Sequence, residues 1–172
     1  DYVKEHVQLQ HVGFGTILGK DKKPLKTKEG DALYLEDLMQ EGKDLLINSD
    51  YFQKVEPEIK EEIVHKSIVG GMKFYDLKFN KTQDYIFDWQ YVLNFSGGSA
   101  PYIQNAMTRI DSIFYKLGFE VEEKDQLQWS NDWNKQEKEI IFQTQKCEEI
   151  IKNSTQDYFS QTLSENVIKL CQ

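Results

Sequence analysis

The sequence predicts a mainly α-helical chain with a short extended segment near its start. Three observations predict this. Val64, Ile68, Met72, Tyr75 and Phe79 follow one another at steps of three or four residues, which puts them on one helical face. Ile103, Ala106, Met107, Ile110, Ile113, Phe114 and Leu117 repeat that spacing behind Pro101. Strand-type alternation is confined to residues 6–18, where Val7 and Leu9 alternate with Gln8 and Gln10 and glycines separate Phe14, Thr16 and Leu18.

The chain has 172 residues, room for one domain or two small ones. At 39% hydrophobic and 13% aromatic it can bury a core and is not disordered by composition. No apolar run approaches the roughly 18 residues of a membrane span. The charged start, Asp1-Tyr2-Val3-Lys4-Glu5, does not read as a signal peptide. Cys147 and Cys171 lack metal-ligand spacing and read as free thiols in a reducing compartment, taken as the cytoplasm. His6, His11 and His65 have no cysteine-rich neighbourhood, so no bound metal is expected. A net charge of −8 argues against a protein that coats nucleic acid generally, DNA included, yet allows a local basic surface. There is no initiator Met, and the last residues still follow a helical pattern. The expectation is a piece of a longer protein.

Taken in order, the extended stretch 6–18 comes first. Glycine within a strand marks close approach by a ligand or another backbone, or else a bulge or an edge strand; both readings stand. Asp31 is the expected N-cap of a helix from Ala32 to Asn48, with an apolar face of Leu35, Leu38, Leu45 and Leu46. Pro57 opens the next helix, with Glu58, Glu61 and Glu62 near its positive end. Gly70-Gly71 in its interior costs up to about 2 kcal/mol against alanine, which implies a close-packed neighbour. His65 is expected to pack near the buried stripe. Residues 80–89 form a polar turn followed by an aromatic segment. Asn80-Lys81-Thr82 and Asn153-Ser154-Thr155 fit the glycosylation pattern by chance. Phe95-Ser96-Gly97-Gly98-Ser99 is the clearest break. Pro101 then starts a helix that Gly118 ends. An acidic linker covers 119–132. Helices over about 135–152, burying Ile140, Ile141, Cys147, Ile150 and Ile151, and about 157–171, burying Phe159, Leu163, Val167, Leu170 and Cys171, complete an antiparallel bundle.

Few residues suggest chemistry. No Ser or Cys sits in a nucleophile elbow. Gly13-x-Gly15 lacks the third glycine of a dinucleotide motif, and there is no Walker loop. What stands out is Lys20 to Lys28, five lysines in nine residues of an acidic chain. Alone, such a run reads as a solvated turn or as a loop that meets phosphate.

Ordered motifs favour the second reading. Lys23-Pro24-Leu25-Lys26-Thr27-Lys28-Glu29-Gly30 resembles the KMSKS-type loop of arginyl-tRNA synthetases, and His11-Val12-Gly13-Phe14-Gly15-Thr16-Ile17-Leu18-Gly19 resembles the strand before it. Val69-Gly70-Gly71-Met72-Lys73-Phe74-Tyr75-Asp76-Leu77, Asn80-Lys81-Thr82-Gln83-Asp84-Tyr85-Ile86-Phe87-Asp88-Trp89, and Ser99-Ala100-Pro101-Tyr102-Ile103-Gln104 with Arg109 and Ser112-Ile113 resemble further motifs of the family in its order and spacing. The resemblance spans about residues 6–117.

The resemblance implies the C-terminal edge of a Rossmann-type α/β catalytic domain followed by an incomplete helical-bundle, DALR-type anticodon-binding domain. Residues 1–30 would be the last strand and loop, 31–95 a helical connector, and 96–172 the first bundle helices. It implies activation of arginine by ATP, with Mg2+, and transfer to tRNA(Arg). It assigns Lys28, then Lys26, to the transferring phosphate, and Phe14 and Gly15 to the adenine; core packing is an equal alternative for Phe14. Ser96, Gly97, Gly98, Ser99, Tyr102 and Arg109 would meet the anticodon loop, where a half-buried helix-start role also suits Tyr102. Two departures stand out: Glu29 replaces a small residue beside the phosphates, and Asn105 replaces a tyrosine. The family's HIGH motif and arginine-binding residues fall outside this segment, so it should not activate arginine alone. A stand-alone synthetase-like module that binds RNA or protein without catalysis is the alternative, and an unrelated helical interaction domain is more distant.

Overall fold

The computed structural model describes residues 9–25, 34–50, 52–118 and 132–172. Lys26, Lys28, Glu29, the expected cap Asp31 and linker residues 119–131 lie outside them.

Helix α2 (Pro57–Leu77) is the spine. Pro57 occupies its first turn, where no intrahelical N–H is needed. Val64, Ile68 and Tyr75 are buried along one face, as the periodicity requires. Against that face lies α1 (Leu35–Ile47). It starts at Leu35, three residues later than expected, with Tyr34 in the cap position and no side-chain cap. Its buried face is Leu38, Gly42 and Leu46, whereas Leu35 and Leu45 are exposed. Gly42, which the apolar spacing passed over, is the position that faces the core.

A short helix, α3 (Trp89–Val92), wedges into both. The Trp89 ring fills the space where a Gly42 side chain would stand. The Val92 side chain lies 2.9 Å from the position of a Cβ at Gly71, and the Gln104 amide lies 2.8 Å from one at Gly70. The close neighbours implied by the glycine pair are therefore α3 and α4. Asp88 caps α3 by accepting the Gln90 N–H at 3.0 Å.

The extended N-terminal segment forms less sheet than its alternation suggests. Among the described residues only Ile17–Leu18 (β1) makes a ladder, parallel to Tyr85–Ile86 (β2). Asp88 turns the partner chain into α3 directly afterwards, so the ladder cannot lengthen. Residues 9–16 are irregular. Leu18 also bridges Pro24, so the lysine run begins as a tight turn rather than an open loop. Gly19 donates to Lys23 O at 2.8 Å, Leu25 to Ile17 O at 3.1 Å, and Lys22 takes a φ of 62°.

The remaining helices are α4 (Ala100–Leu117), α5 (Lys135–Asp157) and α6 (Gln161–Cys171). Ser99 caps α4, and Gly118 ends it with a φ of 62°. Asn134 and Glu137 form a reciprocal capping box at the start of α5. Tyr158, with a φ of 56°, stops α5 beyond the expected end, which delays α6 to residue 161. The packing departs from the expected stripes. Met107, Ile110, Ile113 and Leu117 of α4 are exposed, as are Ile140 and Ile151 of α5. Helical spacing shows which side chains share a face, but not whether a partner covers it. The two fully buried residues of α6 are polar, Ser164 and Asn166. Ser164 donates to Leu77 O at 3.4 Å. Asn166 donates to Gln143 Oε1 and accepts from the Cys147 thiol, each at 3.1 Å. Hydrogen bonds offset the burial of these groups. His65 is exposed in the groove between α1 and α2 rather than packed, because it sits one position round from Val64.

Gly42→Ala should lower stability by about 1–3 kcal/mol, since its methyl group collides with a rigid indole. Gly70→Ala should change stability by no more than about 1 kcal/mol, because only the flexible end of Gln104 must move. Urea unfolding midpoints of the two variants provide the comparison.

Candidate nucleotide and RNA interface

The extended segment is held by the loop over residues 80–84. Gly15 N–H donates to Lys81 O at 2.7 Å, Thr16 N–H to Asp84 Oδ1 at 2.7 Å, and Tyr85 N–H to Thr16 O at 3.2 Å. A Cβ at Gly15 would collide with the Gln83 carbonyl. Close approach of another backbone therefore accounts for this glycine. The loop is itself braced, since Asn80 Oδ1 accepts from both the N–H and the hydroxyl of Thr82.

Phe14 is 87% exposed, which rules out core packing among the described residues. It stands at a cleft of about 650 Å³ with Gly15, Asn80, Lys81, Tyr158 and Ser160 along its walls. The cleft joins the extended segment to the α5–α6 corner, a juxtaposition that no local motif signals. At the base of the lysine turn, Lys20 Nζ lies 3.1 Å from Asp88 Oδ2. Asp88 thus caps α3 with one oxygen and anchors the turn with the other.

On the other side of α2, the glycine-rich break has positive φ at Gly97 (151°) and Gly98 (68°), conformations that favour glycine. Ser96 is exposed, and its N–H and hydroxyl both bond to Asn94 Oδ1. Ser99 is buried; its hydroxyl donates to Asn94 O and accepts from Tyr102 N–H. Tyr102 is half-buried, and its hydroxyl donates to Cys171 O at 2.7 Å. Arg109 is exposed about two turns further along α4. Lys78 donates to Gly98 O at 3.3 Å and lies 4.7 Å from the Tyr75 ring centre. Burial pushes its ammonium group below the usual lysine range. Neither Lys78 nor Asp88 is assigned a role from sequence; Asp88 lies within the Asn80–Trp89 motif, and Lys78 lies just after the Val69–Leu77 motif.

The sequence profile of tRNA synthetases class I (R), catalytic domain, matches residues 1–89, and that of the DALR anticodon binding domain matches residues 103–172. The chain belongs to the arginyl-tRNA synthetase family. The Arginine–tRNA ligase of Mannheimia succiniciproducens is 44% identical over 118 residues, which are 67% of this chain and 20% of that protein. That of Idiomarina loihiensis is 40% identical over 121 residues, 68% of this chain and 20% of that protein. The chain thus spans about a fifth of the length of these curated relatives. In fold it is similar to Thermus thermophilus arginyl-tRNA synthetase, with a TM-score of 0.73 at 18% identity, over 94% of this chain and 26% of that one. The Plasmodium falciparum arginyl-tRNA synthetase gives 0.67 at 24% identity, over 99% and 28%. The architecture is accordingly the edge of a class I catalytic domain followed by helices of an anticodon-binding domain.

An aromatic cluster supports the synthetase strand. Tyr75 meets Phe79, Tyr85 and Phe87 edge-on at 5.0, 5.8 and 5.9 Å, and donates to Ile86 O at 3.0 Å. Tyr85 donates to Asp76 Oδ1 at 2.7 Å. Burial, reinforced by that hydrogen bond and the Asp76 charge, raises Tyr85 well above the usual tyrosine range. Burial also raises Tyr75. Folding thus favours the neutral phenols. Their contribution is complete below the unfolded value, near about pH 10, and is lost as pH rises through the higher folded values. Tyr85→Phe should cost about 1 kcal/mol at neutral pH and make the alkaline loss of stability shallower. Urea unfolding in steps from neutral to alkaline pH would detect both effects.

Proposed function

We propose that this chain is the part of an arginine–tRNA ligase that presents a phosphate-facing loop on one side and an anticodon-facing surface on the other. The observation that carries this reading is the succession of catalytic and anticodon-binding profiles along one chain. Residues 1–30 supply the last catalytic strand and its loop, 31–95 connect the two domains, and 96–172 begin the anticodon-binding bundle. The setting is the cytoplasm.

In the reaction, the arginine carboxylate attacks the α-phosphorus of ATP, brought in as its Mg2+ complex, and pyrophosphate leaves. A hydroxyl of the terminal adenosine of tRNA(Arg) then attacks the activated carbonyl, and AMP leaves. Negative charge builds on phosphate oxygens in the first step. Lys28, assisted by Lys26, neutralises that charge from a loop whose stem is fixed by the Leu18–Pro24 bridge and the Lys20–Asp88 pair. Preorganised contacts of this kind are worth about 3–4 kcal/mol when removed. Phe14 and Gly15 border the adenine; the exposed Phe14 ring beside an open cleft suits stacking. Gly15 contributes by letting the strand lie flat on the Gln83 carbonyl.

For the RNA, Ser96, Gly97 and Gly98 offer backbone that can approach closely, and Arg109 offers a phosphate contact. Ser99 acts by capping α4 and setting that loop, because its hydroxyl is already engaged. Tyr102 offers a ring face, with its hydroxyl held by Cys171 O.

In the complete ligase carrying this segment, Lys28→Ala should slow arginine-dependent ATP–pyrophosphate exchange about 10²–10³-fold. An unchanged rate, or exchange by the 172-residue chain alone, would overturn the reading. Arg109→Ala should weaken tRNA(Arg) binding and reduce its salt dependence by about one phosphate contact. Equal affinity and equal salt slope would remove Arg109 from the surface.

A further inference from the structure

One residue joins the extended segment to the α5–α6 corner of the bundle. The main chain of Lys81 accepts the Gly15 N–H at 2.7 Å. Its side chain reaches the opposite way, across the cleft, and its ammonium group donates to Asp157 O at 2.7 Å, in the last turn of α5. The same ammonium group lies 4.4 Å from the Phe159 ring centre and 5.7 Å from that of Tyr158. A cation is favoured there by the negative end of α5 and by two ring faces.

We propose that Lys81 is a positioning residue that couples the helical bundle to the nucleotide-facing strand. Motion of the α5–α6 corner pulls on the ammonium group and is delivered through the Lys81 carbonyl to Gly15. The loop between them is stiff enough to transmit it. Asn80 Oδ1 holds Thr82 twice, Gln83 N–H donates to Asn80 O at 3.0 Å, and Asp84 holds Thr16. A second tether sets the corner on the end of α2, where Ser160 and Ser164 both donate to Leu77 O. That tether acts on the helix terminus, whereas Lys81 links the 80–84 loop itself to the bundle. RNA held by the bundle would thereby bias the geometry of the strand facing ATP. The identity of those two ligands rests on the ligase reading; the mechanical link does not.

The test uses the 172-residue chain and amide hydrogen exchange followed by NMR. Lys81→Met should speed exchange at Gly15 and Thr16 about tenfold while Leu46 and Ile68 in the core keep their protection. Lys81→Arg, which retains the charge and the donor, should restore slow exchange. Phe159→Leu, altered only on the bundle side, should also speed exchange at Gly15 and Thr16, about threefold. Unchanged exchange at Gly15 and Thr16 in Lys81→Met or Phe159→Leu would overturn the coupling. So would an equal rise at Leu46 and Ile68, which would make Lys81 a general prop of the fold. Because no substrate is present, failure here is distinct from failure of the ligase reading, which the exchange of ATP and pyrophosphate decides.

Discussion

The seating of α3 between two helix faces is the constraint on which the rest depends. Trp89 occupies the surface opened by Gly42 of α1, and Val92 the surface opened by Gly71 of α2. One four-residue helix therefore locks two long ones. Shape outweighs hydrogen bonding in this contact. The indole N–H of Trp89 is buried with no acceptor among the described residues, a cost of about 1–3 kcal/mol. That cost is offset by a large ring packed on the glycine-relieved surface of α1 and edge-on to Phe87 at 5.0 Å. With α3 fixed, Asp88 just before it is fixed too, and with Asp88 the lysine turn.

The end of α2 does comparable service for the bundle. Its last carbonyls lack intrahelical donors. Leu77 O is satisfied by the Ser160 hydroxyl at 2.7 Å and, more weakly, by Ser164. Lys78 turns outward to the glycine-rich break. The unsatisfied end of one helix thus organises both the start of α6 and the loop before α4. This accounts for the burial of Ser164 in α6, while Asn166 is buried against Gln143 and Cys147 of α5 and the aliphatic residues of α6 are half-buried.

Legibility followed from how local each signal was. The start of α2 at Pro57, the stop of α4 at Gly118 and the implied neighbour of Gly70-Gly71 were readable because each rests on one or two residues with a fixed conformational preference. The Asn134–Glu137 capping box is equally local and accounts for the start of α5 at the expected residue 135. The burial of Ile140, Ile151 and the α4 stripe was misjudged because periodicity carries no information about what faces a stripe. The length of β1 was overestimated because alternation belongs to one strand, whereas a ladder needs two. At the candidate site, Phe14 and Gly15 were found through family motifs. Lys81 was visible only as part of a motif, because its partners at Asp157 and Phe159 are distant in sequence.

The lysine run shows how a charge cluster divides its work once folded. Lys20 is drawn to Asp88, whose side chain is 15% exposed, so its charge is spent on anchoring. Lys22 sits at the positive-φ corner of the turn, and the carbonyl of Lys23 closes it onto Gly19. These three residues make a stem. The Leu18–Pro24 bridge and the Lys20–Asp88 pair hold this stem against β1 and against the start of α3. The chain is acidic overall, so a free run of five lysines would otherwise be drawn to many carboxylates on its surface. The first cation of the run is thereby committed to one half-buried partner. The turn over residues 19–25, held by β1 on one side and Asp88 on the other, thus fixes where the chain leaves the sheet.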